Sequence, residues 1–438
     1  MGIEKLGIPC VSIVQEGFVA AAKSSGEAFQ LRNLTLAVTP YVFTSLNAQQ
    51  TRQAVDLIIE DIIIGLTNPL TELGENVVRR IAMQGSQDEI IEFIGEDYKE
   101  CLEKMNDKFL DWGWGDGFPL IPPTEEAVKK ILGGTKRPPD DTVVEKFVPG
   151  MARASVKNIA INAVMAGCKT DFLPVVIAAV EAMHDLAINL RICTMSTGPH
   201  APLFIVNGPI APKLHINSGL CALGPAGPKK LSFPNVVIGR AVRLILMNVG
   251  NAYPGIMDQD TIGSPAKFSM VIAENESANP WEPYHVEKGF NLEESTISCC
   301  YGHSLIEMGD LVSDNAEGLM NTFARHIKGI GQISITYFKP MILMAPDHAM
   351  ILDRDGWTKD DVRQYLYLHC RISAEEYRRS ACVAPSVKRK WIEAADSKAM
   401  VPLYEKPEDI QIVVVGGMSG KSAAYAAGYP SNPHLIRI

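Results

Sequence analysis

The chain has 438 residues, 47% of them hydrophobic and 21% charged, enough to bury a large core in two or three domains. A net charge of −9 and a pI near 5.6 argue against a general nucleic-acid binder, which carries a basic face. The nine cysteines are scattered with no CxxC pair, which argues against a secreted disulfide framework and for a reduced, cytoplasmic protein.

The first apolar run, GIPCVSIV, is broken by Pro9 and stops at Gln15, so no secretory signal is expected. The most apolar segments, Leu57 to Leu66 and Pro174 to Met183, fall short of the roughly 20 residues that span a bilayer, so no membrane association is expected. Gly7-Ile8-Pro9 followed by Cys10 to Val14 predicts a turn and a buried, parallel-type strand. A helix follows from Gly17 through Ala28, then a strand over Leu34 to Val38 and a helix over Gln49 to Leu66. In that last helix Val55, Ile58, Ile59, Ile62 and Ile63 recur at helical spacing. Residues 1–95 thus read as an incomplete, Rossmann-like α/β segment that lacks the strand and helix expected before its first turn. Arg32 and Arg52 are candidates for an anion or for structural ion pairs.

The run IEKLGIPCVSIVQEGF, with Leu31-Arg32 and Thr51-Arg52, resembles the family named for its UGSC motif. In that family a Cys or selenocysteine opens a U/C-G-S-C loop just upstream of the E-K-x-G-I-P segment. The loop is absent from this chain. The resemblance implies that a small partner subunit carries it, with loss of the loop or truncation as the alternatives.

Residues 96–335 read as a central α/β domain that holds the substrate site. A charged helix over Asp88 to Lys108 leads to WGWGDGFPLIPPT, residues 112–124, where alternating Trp and Gly followed by prolines predict a rigid loop. Asp116 in it either faces the site or helps to clamp two domains. The pattern W-G-D-G-x-P-x-x-P-P-T resembles proteins that fuse the UGSC-type segment to a larger domain and are often labelled thiol-disulfide oxidoreductases. Helices are predicted over Ser155 to Ala166 and Asp171 to His184, with Ser155 and Asp171 as N-caps.

The densest polar stretch runs from Cys193 to Gly219, where a short apolar strand, Pro202 to Val206, is flanked by Ser196, Thr197, His200, Asn207, His215, Asn217 and Ser218. It reads as the floor of an active site. The Gly/Pro-rich turn over residues 216–230 precedes a helix over Asn235 to Asn248 that carries Arg240 and Arg243, and it suits either an anionic substrate group or a structural role. No GxGxxG follows a strand, so no nucleotide is expected. A strand over Phe268 to Ala273 delivers Glu274, Asn275 and Glu276, with Lys267 before it. Ligands gather at the carboxyl ends of strands in open α/β sheets, so the two clusters are expected to share one pocket.

The predicted catalytic set is Glu274, His285, Lys267 and His200, which suits acid–base work on a carbonyl or carboxylate. Predicted substrate contacts are Ser196, Thr197, Asn207, Asn217, Ser218, Asn275, Lys421 and Ser422. His200, His215, Glu274, His285 and His303 have the chemistry for a divalent metal, yet no HxxxH or HExxH spacing, so no metal ligand is assigned. Cys299-Cys300 ahead of His303 offers either a thiolate or two buried structural cysteines.

Residues 336–438 read as a C-terminal α/β segment packing on the central domain. Strands are predicted over Met341 to Met344 and Ile410 to Val415, with Asp347-His348 at a strand end and a helix capped by Thr358. The tail GGMSGKSAAYAAGYP lacks the first Gly of a Walker A loop, so Gly416 to Ser422 is predicted to be a flexible loop closing over a ligand. Together these readings predict the large subunit of a two-component enzyme, forming an oligomer and acting on a small anionic molecule by thiol-assisted redox or addition–elimination chemistry. A metal-dependent lyase or hydratase and a non-catalytic scaffold subunit are the alternatives.

Overall fold

A computed structural model describes residues 8–31, 34–41, 43, 46–67, 90–337, 339–379, 390–418 and 420–438. The chain is an α/β protein in which helices cover mixed sheets. It opens with two parallel strands, β1 (Ser12–Gln15) and β2 (Leu36–Thr39), joined by helix Val19–Ala28 and followed by helix Ala48–Thr67. This is a single β-α-β unit of a parallel sheet. An antiparallel pair comes next, β3 (Thr142–Phe147) and β4 (Ala152–Ser155).

The rest of the chain is organised on one curled sheet. Its strands in chain order are β5 (Ala201–Asn207), β6 (Val271–Ala273), β7 (Thr296–Gly309) and β8 (Met341–Met344). After a separate antiparallel pair, β9 (Arg371–Ser373) and β10 (Met400–Pro402), come β11 (Gln411–Val414), β12 (Lys421–Pro430) and β13 (His434–Leu435). The spatial order is β11-β8-β12-β7-β5-β6, with β13 also on β7. The pairs β5/β6 and β8/β11 are parallel and the others antiparallel. The two edge strands are drawn together at one end. Asn275 N–H donates to Val414 O at 2.8 Å, and Gly416 N–H donates to Ser218 O at 2.8 Å.

Strand alternation then sorts the apolar residues into three cores. Leu203, Ile205, Ile272, Cys300, Leu343 and Tyr425 point into the curl and fill it. Phe204, Val206, Val271, Cys299 and Tyr301 point outward beneath helices Val156–Ala166, Leu173–Met183 and Phe233–Asn248. On the other half, Ile342, Met344, Ile412 and Val414 lie beneath helices Ala316–Tyr337, Pro346–Arg354 and Lys359–His369. Strands covered on both faces read as unbroken apolar runs, which is why PLFIV and QIVVV look alike in the sequence. Because β5 to β7 and β8, β11 and β12 share one sheet, residues 336–438 complete the central domain instead of packing on it.

Local signals explain most helix ends. Ser155 accepts a hydrogen bond from Asn158 N–H at 3.2 Å, and Thr358 forms a capping box with Asp361. Asp171 is not a cap, because a 3-10 turn over Thr170–Phe172 runs straight into helix Leu173–Met183, which carries Pro174 in its first turn. The helix expected over Asp88 to Lys108 is Tyr98–Asp111 with Asp97 as its cap, and residues 88–89 lie outside the described residues. The strand expected over Phe268 to Ala273 shortens to β6, because Pro265–Lys267 form a 3-10 turn capped by Phe268. No helix among the described residues is long and apolar enough to cross a membrane.

Candidate active site

Parallel pairing of β5 and β6 separates polar groups that were expected to meet. Phe204 lies beside Val271 and Val206 beside Ala273, so His200 and Lys267 share one end while Asn207 and Glu274 share the other. A strand of this length rises about 3.3 Å per residue, which keeps the two ends roughly 20 Å apart. The expectation of one shared pocket is therefore corrected to two polar sites.

At the His200–Lys267 end a cavity of about 570 Å³ opens between the Trp/Gly loop and residues 253–268. The loop is held by its own chemistry. Trp112 and Trp114 have ring centroids 4.8 Å apart, and Phe109 stands edge-on to Trp114 at 5.0 Å. Asp116 accepts from Arg240 Nε at 2.8 Å and Nη2 at 2.9 Å, a fork-to-carboxylate pair, and the same guanidinium donates to Phe118 O and Pro119 O. Asp116 thus clamps the loop to helix Phe233–Asn248 and also lines the cavity. Gly117, Gly255 and Gly263 on the rim take φ of 93°, 75° and 86°, the left-handed region where a side chain is disfavoured.

The cavity floor is a buried charged quartet. Lys267 Nζ lies 2.7 and 2.8 Å from the two oxygens of Asp258 and 2.5 Å from Asp260 Oδ2. Arg243 Nη1 reaches Asp258 Oδ2 at 3.3 Å from the next turn of the clamped helix. Lys267 thus sits between the two carboxylates, hydrogen-bonded to both oxygens of Asp258 and in close ion-pair contact with Asp260, which has no other donor among the described residues. Burial holds the Asp260 carboxyl above the ordinary carboxylate range, outweighing the adjacent ammonium.

His200 stands behind this floor. It lines a void of about 10 Å³ together with Arg243, Asp258 and Lys267, which is room for no more than one water. Its ring centroid is 3.9 Å from that of His303, and its Nδ1 is 3.1 Å from Gly198 O. Burial and then the neighbouring His303 pull its pKa down to about 4, so the ring is neutral at pH 7. Ser196 Oγ accepts from Gly198 N–H at 3.1 Å, and Thr197 O accepts from Thr261 N–H at 3.0 Å. Neither Ser196 nor Thr197 lines the cavity. Both shape the turns that carry His200 and Asp260.

The other end of β5 is a knot of buried polar groups. Glu274 Oε2 accepts from Asn207 Nδ2 at 2.5 Å and Tyr284 N–H at 2.7 Å, while Oε1 accepts from Asn279 Nδ2 at 2.9 Å. Burial pushes its pKa up to about 7 against these bonds and the attraction of Lys359. Glu276 Oε1 accepts from Gly208 N–H at 2.7 Å and lies 3.8 Å from His285 Nδ1. His285 is fully buried, and neither ring nitrogen is hydrogen-bonded among the described residues. Asn217 bridges Asn235 Oδ1, Leu220 O and Ser232 Oγ, and Asn275 ties β6 to Val414 and Gly416. Asn207, Asn217, Ser218, Glu274, Asn275 and His285 do lie at one end of the sheet, as the sequence suggests. None of them lines the cavity, and Asn207, Asn217, Glu274 and Asn275 spend hydrogen bonds on tying this end of the sheet together.

The remaining candidates lie elsewhere. Ser422 is a buried residue of β12 whose Oγ accepts from Ala345 N–H at 2.9 Å and lies 2.7 Å from His348 Nδ1. Lys421 pairs with Glu307 at 2.7 Å on the surface. The bend before them is pinned, with Gly420 N–H donating to Asp347 Oδ2 at 2.6 Å, so a loop closing over a ligand is not formed by its described residues; Ser419 lies outside them. Burial pushes the Cys193 thiol up to about 12 and holds Cys299 and Cys300 well above the usual thiol range, which leaves them inert. His200 and His303 stand at one end of β5, Glu274 and His285 at the other, and no three His, Cys, Asp or Glu side chains among the described residues converge as metal ligands. Arg32 lies outside the described residues, and Arg52 is exposed on helix Ala48–Thr67.

Arg243 was legible only as the neighbour of Arg240, and Asp258 and Asp260 were missed. A signal existed. Two carboxylates two residues apart, between the turn glycines Gly255 and Gly263 and just ahead of Lys267, are unusual for a loop that serves packing alone. Comparison of the chain with protein-family models, with curated proteins and with solved structures finds no significant match.

Proposed function

We propose that this chain is the substrate-binding, acid–base component of an enzyme that acts on a small anionic organic molecule in the cavity beneath the Trp/Gly loop. The observation that carries this reading is the buried quartet of Arg243, Asp258, Asp260 and Lys267 at the cavity floor. Arg243 and Lys267 hold the anion, and Asp260, kept above the usual carboxylate range, takes or gives a proton at the reacting atom.

In the two-component form of this proposal a small partner subunit supplies the sulfur on its Cys-Gly-Ser-Cys loop. Its thiolate adds to the C=C carbon β to the ligand's carboxylate, the C=C π bond breaks, and the proton that Asp260 shares with that carboxylate passes to the α-carbon, leaving a thioether and an ionised Asp260. The partner completes the Rossmann-like unit begun by β1 and β2. Support comes from exposed apolar side chains on this unit: Ile13 and Val38 on opposite faces of the strand pair, and Leu57 and Ile64 on one side of the following helix with Ile59 and Ile63 on the other. Parallel sheets are ordinarily covered on both faces. The unit also sits beside the cavity wall, with Ser25 Oγ 3.9 Å from Met257 Sδ and the Arg191 guanidinium 4.5 Å from the Phe29 ring centroid.

Calorimetric titration with small carboxylates and keto acids tests the site. Wild type and Glu274→Gln should bind alike, whereas Lys267→Met should bind at least about tenfold more weakly, the effect of losing one desolvated charge contact. Equal binding by Lys267→Met would remove the cavity from consideration and favour the scaffold reading.

A further inference from the structure

We infer that the cavity selects a carboxylic acid bearing one negative charge and a ring-sized apolar body, and that binding takes up a proton; this rests on the cavity being the substrate site proposed above.

The charge count at the floor sets the first part. Two cations, Arg243 and Lys267, contact one shared anion, Asp258. With Asp260 ionised the quartet is neutral and has no net attraction for an anion. With Asp260 protonated the floor carries one positive charge and one O–H donor. A single carboxylate satisfies both, taking the Lys267 contact that Asp260 releases through one oxygen and the Asp260 proton through the other. The other charged groups nearby do not alter this count. Arg240 is committed to Asp116, and His200 behind the floor is neutral, its charged form disfavoured by burial and by His303. Lys267 serves both carboxylates at once, 2.7 Å from Asp258 and 2.5 Å from Asp260, so a ligand oxygen can take over the contact to Asp260 while the pair with Asp258 stays.

The walls set the second part. Met247, Tyr253, Pro254, Ile256, Ile262 and Phe268 surround the space above the floor. Phe268 meets Phe118 edge-to-face at 5.3 Å beside the mouth. Ile262 is 94% exposed and Phe268 45%, so apolar surface continues out of the cavity. A second carboxylate on the ligand would find the already paired Asp116 and no further cation among the lining residues. About 570 Å³ is several times what a two-carbon acid fills, so the space above the floor admits an apolar body of at least ring size.

The test is calorimetric titration of the full chain with phenylacetate, phenylacetamide, acetate and succinate at about pH 6 and about pH 8, in buffers of different ionisation enthalpy. Phenylacetate should bind at least about tenfold more tightly than the other three, with net proton uptake and an affinity that falls about fivefold or more on going to the higher pH. In Asp260→Asn, which retains a donor but cannot ionise, the affinity for phenylacetate should no longer depend on pH. Succinate or acetate binding as well as phenylacetate, or binding with no proton uptake, would overturn this inference while leaving the cavity as the site. Binding of none of the carboxylates would overturn both.

Discussion

At Glu274 burial and hydrogen bonding pull in opposite directions, and burial wins. Three donors reach its carboxyl group, yet it titrates near 7 instead of near the unfolded value of 4.5. A carboxyl whose folded pKa is raised stabilises the fold most below its unfolded pKa, and that contribution is lost as pH rises through the folded value. The change here amounts to at most about 3 kcal/mol. His200 runs the other way, stabilising above its unfolded value of 6.5 and losing that contribution as pH falls through about 4. It is common to wild type and variant and cancels in a difference. The unfolding free energy of wild type minus that of Glu274→Gln should therefore fall by about 2–3 kcal/mol between pH 5 and pH 8. A flat difference would mean that the carboxyl is already ionised throughout. Glu274 was recognisable in the sequence as a polar residue at the end of a buried strand. That its bonds join Asn207, Asn279 and Tyr284 was not recognisable, because Asn207 comes from β5, distant in the chain, and Asn279 and Tyr284 reach it only through the fold of the turns that follow Glu274.

The Trp/Gly loop and helix Phe233–Asn248 frame the proposed site, and the Asp116–Arg240 pair joins them. With Asp116 almost fully buried, removing Arg240 leaves a desolvated carboxylate and two loop carbonyls without its hydrogen bonds. Arg240→Met should cost about 3 kcal/mol in chemical denaturation, and adding Asp116→Asn should recover part of that loss. A cost below about 0.5 kcal/mol would rule out the clamp. At this scale much was legible. The caps at Ser155 and Thr358, the apolar runs of β5, β8 and β11, and the helical spacing of residues 55–63 are all local properties. The second half of β7, from His303 onward, mixes exposed and buried positions and so carries no clear strand pattern in the sequence. β12 was misread because Gly416, Gly417 and Gly420 suggest flexibility, whereas contacts to Ser218, Asn275 and Asp347 hold the backbone before the strand begins.

For the whole molecule, the proposed partner rests on apolar side chains of the N-terminal unit that are exposed among the described residues. Ile59 is 41% exposed and Ile63 53%, so Ile59→Asp with Ile63→Asp should change the stability of the isolated chain by no more than about 0.5 kcal/mol. The same pair should abolish co-purification with a co-expressed small subunit and any self-association, read by light scattering. An unchanged complex would place the partner elsewhere.

Local chemistry was enough to place the helices, the buried strands and the polar residues that end them, because caps, turn glycines and apolar periodicity act within a few residues of one another. Which polar ends meet was decided only by the fold. Parallel pairing of β5 with β6 puts His200 with Lys267 and Asn207 with Glu274, and the length of the strand holds the two groups apart. The Arg243, Asp258, Asp260 and Lys267 quartet, in turn, depends on a helix and a turn brought together across that sheet. A sequence names the groups that end a strand, but the direction of its neighbour determines which chemistry they share.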